Sequence, residues 1–174
     1  MNYQINDTIL YGSQGVCKIT GTVQKDFGGC VMDYYTLKPV YSENSVIYVP
    51  MHNEALLHKM RRVLSPEEIY ALIQAMPYQE VSWIEDENKR KETCRDILSR
   101  GDRMELIRAI KALYLHQQEL QQKGRKLHVS DERFLKEAEK MLYDEFALVL
   151  NIREDEVLPF IMKQIDIEEK QSVQ

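Results

Sequence analysis

The chain changes character at Ser65-Pro66, and this change limits the folds that are open to it. Five of its seven glycines come earlier, between short runs rich in β-branched and aromatic residues. Later, apolar residues recur at helical spacing almost to the end. The pattern predicts an α+β chain with a small β module over residues 1–64, a connecting helix and linker over 65–82, and an all-α helical bundle over 83–174.

The β module reads as a meander of short strands. Runs at 8–11, 15–23, 31–38 and 45–49 alternate imperfectly, and a fifth strand is predicted at 60–64. Gly21 indicates a bulge or bend, and the paired glycines of 26–29 predict a hairpin loop. A turn is predicted at 42–44. Successive short strands with tight turns favour closure into a small Tudor- or SH3-like barrel.

The helical part has clear boundary signals. Ser65 is predicted to cap the first helix, with Pro66 at its first position and Glu68 completing a capping box. A second helix is predicted from about Trp83 to Arg100. Gly101 then ends it, and Asp102 caps the next. Ser130 is predicted to cap the following helix, and Pro159 to kink the last one or to delay its start.

A basic block lies within an otherwise acidic chain. Residues 89–128 carry eleven Lys/Arg against five Asp/Glu, although the whole chain has a net charge of −5. Such a block is ordinarily a solvated helix face, but it also suits a polyanion. The cluster at 89–91 lies near the single tryptophan, Trp83, and a second cluster occupies the loop at 123–126. Trp83 is either a buried anchor or an exposed wedge that stacks on distorted bases.

No catalytic or metal-binding arrangement is evident. His52 and His58 are six residues apart, with no other candidate ligand nearby, so we expect no metal and no cofactor. Three cysteines without a short pairing suggest reduced thiols. Cys94 fits a half-buried structural thiol better than a nucleophile. The N-terminus lacks the pattern of a secretory leader and the longest apolar run spans only five residues, so we expect neither export nor a membrane.

The apolar run at 45–49 has two interpretations. It is either a central strand that is covered on both faces or an edge strand that can add to the sheet of a partner.

Several segments together resemble the CarD/CdnL family. In the β module they are residues 7–11, 15–16, 35–38 and 46–50. In the helical part they are Trp83 and residues 99–102, 106–113, 130–138 and 145–148. Each motif is weak by itself, but their order along the chain is specific.

The resemblance implies a bacterial transcription regulator and not an enzyme. Its Tudor-like module, which is shared with transcription-repair coupling factor, would pair strand to strand with the RNA polymerase β subunit. Its helical domain would contact promoter DNA at the upstream edge of the bubble and stabilise the open complex. Location in the cytoplasm, on the nucleoid through polymerase, would follow.

The resemblance also implies roles for particular residues. The residues implied for polymerase binding are Lys25, Val46, Ile47, Tyr48 and Val49. The residues implied for weak, non-sequence-specific DNA contact are Trp83, Lys89, Arg90, Lys91, Arg125, Lys126 and Arg133. The alternative is a two-domain adaptor whose helical half meets an acidic protein and makes no direct DNA contact. No small-molecule substrate is expected.

Overall fold

The computed structural model describes residues 3–172 except Phe27 and Glu43, with side chains as far as residue 165. The chain divides into two compact units, Met1–Val63 and Leu64–Gln174. A five-stranded antiparallel sheet forms the first unit and helices form the second, so the predicted α+β class is confirmed. Two predicted turns, at 26–29 and 42–44, each include a position outside the described residues. No described helix is long and apolar enough to cross a membrane.

The described part of the sheet unit contains five strands, one short α-helix and a 3-10 turn at Gly12–Gln14. Its elements are β1 (Thr8–Tyr11), β2 (Val16–Asp26), β3 (Val31–Pro39), β4 (Ile47–Pro50), α1 (Glu54–Leu57) and β5 (Met60–Arg62). The strand order is β4-β3-β2-β1-β5, and every pairing is antiparallel. The register of β2 against β3 shifts between Ile19 and Gly21, where the sequence indicated a bulge.

The sheet is open, although the sequence favoured a closed barrel. β4 and β5 are its two edges, and they are only four and three residues long. Strands this short leave few hydrogen bonds with which to close a ladder. Apolar side chains of α1, Leu56 and Leu57, pack against the core instead. The buried residues at the centre of that core are Ile9, Cys17, Ile19, Leu37, Val49 and Met60.

The helical unit has five helices. They are α2 (Pro66–Ala75), α3 (Glu87–Arg100), α4 (Arg103–Gln122), α5 (Val129–Leu150) and α6 (Glu154–Ser172). The capping box is present: the Ser65 hydroxyl accepts from the Glu68 N–H at 3.2 Å, and the Glu68 carboxylate accepts from the Ser65 N–H at 2.8 Å. Gly101 ends α3 with φ of 60°, and Asp102 caps α4, both as predicted.

Two predicted helix starts were wrong. Helix α3 begins at Glu87 and not near Trp83, because the Asp86 side chain accepts the Lys89 N–H and caps the helix there. The residues between α2 and α3, 77–86, form an irregular segment that we call the strap. Helix α5 begins at Val129, with the His128 side chain accepting from the Ser130 N–H in the role expected of Ser130.

A buried carboxylate ties the start of the helical unit to its core. Glu145 of α5 is 1% exposed. It accepts the Leu64 N–H at 2.9 Å and two hydrogen bonds from the Arg103 guanidinium at 3.0 and 2.7 Å. Around it, α2, α4, α5 and α6 pack together through Ile73, Ile107 and Phe146. The ion pair therefore fixes where the chain enters the helical unit.

Replacing Glu145 by alanine should destabilise the helical unit by about 3–5 kcal/mol, because Arg103 loses the carboxylate that pairs with it and a backbone donor loses its acceptor. Urea unfolding followed by circular dichroism measures this. The control is Glu137→Ala on the same helix, which removes an exposed ion pair with Arg133 and should cost less than about 0.5 kcal/mol. Equal effects of the two variants would contradict the role given to Glu145.

Candidate functional site

Strand β4 presents its backbone to the open edge of the sheet. The Met51 N–H donates to the Asp33 carbonyl at 2.9 Å, so residues 33 and 51 form a hydrogen-bonded pair. Such pairs alternate with non-hydrogen-bonded ones in an antiparallel ladder. Since Thr36 lies opposite Tyr48, that pair is of the second kind, and the N–H and C=O of Tyr48 point away from β3. Pro50, two residues on, lacks the outward N–H, as suits an edge.

The predicted docking residues differ in exposure. Val46, just before the strand, is 52% exposed, and Tyr48 is 39% exposed. Ile47 is half-buried, and Val49 is fully buried in the sheet core. Val49 therefore packs in the sheet core and is not accessible to a partner. Val46 and Tyr48 are the side chains that a partner can reach. Of the two interpretations of 45–49, the edge strand is the one observed.

Lys25 reaches the same surface from β2. Its ammonium lies 3.4 Å from the centroid of the Tyr48 ring, a cation–π contact worth about 0.5–1 kcal/mol at an exposed site. The register places Tyr34, which is buried, on the same face of the sheet between the two. The fold thus joins two residues, 23 positions apart in sequence, that the family resemblance connected with polymerase binding.

The two basic clusters meet at one end of the helical unit. His128, at the end of the 123–128 loop, has its Nε2 3.6 Å from a Glu87 carboxylate oxygen at the start of α3. The N-terminal turns of α3 and α5 are therefore neighbours, although 41 residues separate Arg90 from Asp131. The exposed cations here, which we call the basic end, have no side-chain partner among the described residues. They are Lys89, Lys123, Arg125 and Lys126.

Three residues predicted to contact DNA form ion pairs within the protein instead. Arg90, 9% exposed, donates to Asp131 at 3.0 and 2.9 Å and to the Ile84 carbonyl at 2.7 Å. This partnership raises the pKa of Arg90. Lys91 pairs with Glu87, whose carboxyl pKa is lowered chiefly by that hydrogen bond. Arg133 is highly exposed and pairs with Glu137 on the same helix. The cations of the basic end are thus the better placed to meet phosphate.

Trp83 lies in the strap and packs on the helical unit. Its ring stacks on His116 of α4 with centroids 3.7 Å apart and planes 17° apart. The Arg90 guanidinium lies 4.6 Å from the Trp83 ring centroid. The ring is half-buried against the hydrophobic core. This packing is that of an anchor, and the role as a DNA wedge stays a prediction.

The partners that organise this end were missed in the sequence. Asp131 read as an ordinary acidic residue in the first turn of a helix, and His116 as a polar surface residue. No local spacing connects either of them with Arg90 or Trp83, because the pairing depends on how α3, α4 and α5 pack.

The thiols of Cys94 and Cys17 are not activated. Burial raises the pKa of Cys94 to about 11, with a further rise from Asp131 and an opposing effect from Arg90. Burial also raises the pKa of Cys17 to about 11. Among the described residues, no group of three or more His, Cys, Asp or Glu side chains is arranged to hold a metal ion.

Comparison with protein-family models decides the family. The model described as CarD-like/TRCF RID domain matches residues 3–64, and the model described as CarD, C-terminal domain, matches residues 56–162. The chain belongs to the CarD-like family. It is thus a transcription-associated regulator that interacts with RNA polymerase, from a family of non-enzymatic regulators. No curated protein sequence matches the chain significantly.

Iodoacetamide should label Cys30 quickly and Cys94 at least about tenfold more slowly at pH 8, because only the thiolate reacts and Cys94 holds its proton. The Cys94 rate should rise with pH until about pH 11. Peptide mass spectrometry measures the labelling, and unfolding in urea, which should make all three thiols react alike, is the control. Labelling of Cys94 as fast as Cys30 at neutral pH would favour a thiol-dependent activity.

Proposed function

We propose that this CarD-like protein binds the RNA polymerase β subunit through the open edge of β4 and stabilises the promoter open complex through DNA contacts at the upstream edge of the bubble. The observation that carries the proposal is the outward backbone of Tyr48 in a domain of the CarD-like/TRCF RID type. Bound to polymerase, the protein would act in the cytoplasm, on the nucleoid.

Strand addition suits this edge. An added strand gains affinity from main-chain hydrogen bonds and specificity from alternate side chains. β4 offers the N–H and C=O of Tyr48 to a partner strand, whereas the Pro50 carbonyl already accepts the Asn53 N–H at 3.3 Å. The Lys25–Tyr48 pair holds the aromatic ring beside this edge and keeps a positive charge there, which would favour an acidic residue on the partner.

The basic end supplies the DNA contacts in this proposal. Four exposed cations belong to the start of α3 and the 123–126 loop, two segments linked by the contact between Glu87 and His128. An exposed lysine or arginine can meet phosphate without first breaking an internal ion pair. Binding of this kind is independent of sequence and weakens with salt. A protein with a net charge of −5 needs help to reach DNA, and docking on polymerase provides it as a high local concentration.

Only a difference in contacts changes the opening equilibrium. Cations that meet the opened bubble but not the closed duplex shift the population toward the open complex. A difference of about 1.4 kcal/mol, well within reach of two or three phosphate contacts, raises open-complex occupancy tenfold where that state is scarce.

Tyr48→Pro should abolish capture of a β-subunit fragment, whereas Tyr48→Ala should only weaken it. Alanine removes the ring but keeps the outward N–H, and proline removes that N–H without touching a hydrogen bond to β3. Pull-down with purified β fragments, with circular dichroism confirming the fold of each variant, measures this. Tyr78→Ala, at an exposed tyrosine of the helical unit, is the control and should bind normally.

Equal binding by Tyr48→Pro and Tyr48→Ala would contradict pairing through the backbone of β4. Loss of binding in Tyr78→Ala would move the polymerase contact to the other unit.

Reversing charge at Lys89, Arg125 and Lys126 together should reduce crosslinking to promoter DNA in the polymerase complex and lower the salt dependence of DNA binding. Each lost phosphate contact should remove about 0.9 from the slope of log K against log salt. The matched control reverses Lys136, Arg153 and Lys163, which are exposed cations outside the basic end. Both triple variants change the net charge by the same amount.

The same pair of variants tests the second candidate, an adaptor without DNA contact. The half-buried packing of Trp83 on His116 favours it, since a packed ring is not presented to bases. An adaptor predicts unchanged crosslinking in both variants, together with β-subunit binding that is still lost in Tyr48→Pro.

A further inference from the structure

A cavity of about 280 Å³ lies within the helical unit, between the strap, α3 and α4. Its floor is apolar and is formed by Cys94, Ile97, Leu113 and Phe134. Ala109 and Ala112 of α4 also face it, and their small side chains leave the space open. A cavity of about 150 Å³ accepts benzene, so this one has room for a planar ring with a substituent.

The charges at the rim are not equivalent. Three arginines line the cavity, but Arg90 is committed to Asp131 and to the Ile84 carbonyl, and Arg100 pairs with Glu105 at 3.2 Å. Arg108 is exposed and donates only its Nε, to the neutral Gln79 side chain at 3.0 Å. Its two terminal nitrogens have no partner among the described residues. They form a planar pair of donors, the geometry that binds a carboxylate or phosphate in a bidentate manner.

We propose that this cavity is a binding site for a small planar apolar molecule that carries a carboxylate or phosphate. The ring lies on the apolar floor beside Ala112, and the anion is held by Arg108 at the rim. An apolar pocket with a few convergent polar groups is the usual form of a small-molecule site. The site does not depend on the polymerase or DNA roles proposed above.

An acidic residue at the rim gives a further test of anion binding. Glu80 of the strap also lines the cavity and is exposed. Its carboxylate opposes a bound anion, so removing that charge should strengthen binding in the same experiment in which removing the Arg108 charge weakens it. Both residues are on the surface, so neither change should affect folding.

A ligand in this cavity would restrain the strap. Lys111 donates to the Pro77 and Gln79 carbonyls at 2.8 Å each, and Arg90 donates to the Ile84 carbonyl. The strap is thus held mainly by cationic side chains of α3 and α4. A ligand in the cavity touches strap and helices together, and so opposes any movement of the strap that would release Trp83.

A second cavity of similar volume is a weaker candidate. It lies between α4, α5 and α6, and its lining is almost wholly apolar, with Leu158 and Met162 exposed at the rim. Lys111 and Tyr114 also line it, but Lys111 is engaged with the Pro77 and Gln79 carbonyls and Tyr114 with Glu139. It serves instead as the control site, because an apolar probe that binds without selectivity would enter it as well.

The single tryptophan lines the proposed site and reports on it. The probe is 4-bromobenzoate, whose bromine quenches tryptophan fluorescence at contact, with neutral 4-bromobenzamide as its matched analogue. Wild-type full-length protein should show saturable quenching of Trp83 by both, with tighter binding of the benzoate. Arg108→Gln should weaken benzoate binding by about fivefold or more and leave the amide unchanged. Glu80→Gln should strengthen benzoate binding by about twofold.

Ala112→Leu should abolish quenching by both probes, because the larger side chain fills the cavity. Met162→Gln, in the control cavity, should leave both affinities unchanged. Quenching that does not saturate in the wild type, or an Arg108→Gln variant with an unchanged preference for benzoate over the amide, would overturn the proposal. Loss of binding in Met162→Gln would also overturn it, by assigning the probe to the other cavity.

Discussion

The buried ion pair between Arg90 and Asp131 organises the basic end of the helical unit. It joins α3 to α5, and the same guanidinium holds the strap through the Ile84 carbonyl and lies beside Trp83. With Asp131 only 3% exposed, removing one partner leaves a buried charge, at a cost of about 3–5 kcal/mol. That is a large part of the 5–15 kcal/mol by which domains are usually stable. This pair stabilises the proximity of the two basic clusters, together with the contact between His128 and Glu87.

Sequence reasoning recovered the features that local chemistry determines. The capping box at Ser65 and Glu68, the helix end at Gly101 and the bulge near Gly21 were all predictable, because each depends on residues within a few positions. What it could not supply was any relation that depends on packing. The start of α5 was misplaced because His128, and not Ser130, caps the helix. Barrel closure was wrongly expected, because the sequence of short strands does not show whether the two outer strands can meet.

In the candidate sites, too, local features were predictable from the sequence and features that depend on packing were not. The apolar run at 45–49 predicted a strand, which is found at Ile47–Pro50, but whether it lay at an edge depended on the strand order. The basic clusters could be recognised in the sequence by their charge. Their proximity and the burial of Arg90 could not be predicted, because both depend on the packing of α3 against α5. Charge in a sequence therefore indicates which helices are candidates for a polyanion, and burial then decides which of their cations remain available.

A wedge role for Trp83 would require the strap to move. The ring stacks on His116 and lies beside Arg90, and stacking of this kind contributes about 0.5–1.5 kcal/mol beyond the burial of area. Contacts with an unstacked base are worth about 1–3 kcal/mol, which is of the same order as the stacking that the ring would give up. Docking on polymerase, in the function proposed above, would favour the exchange by raising the local concentration of DNA. If Trp83 acts as a wedge, anchor and wedge would be two states of one residue, and the contacts that hold the strap would set the proportion between them.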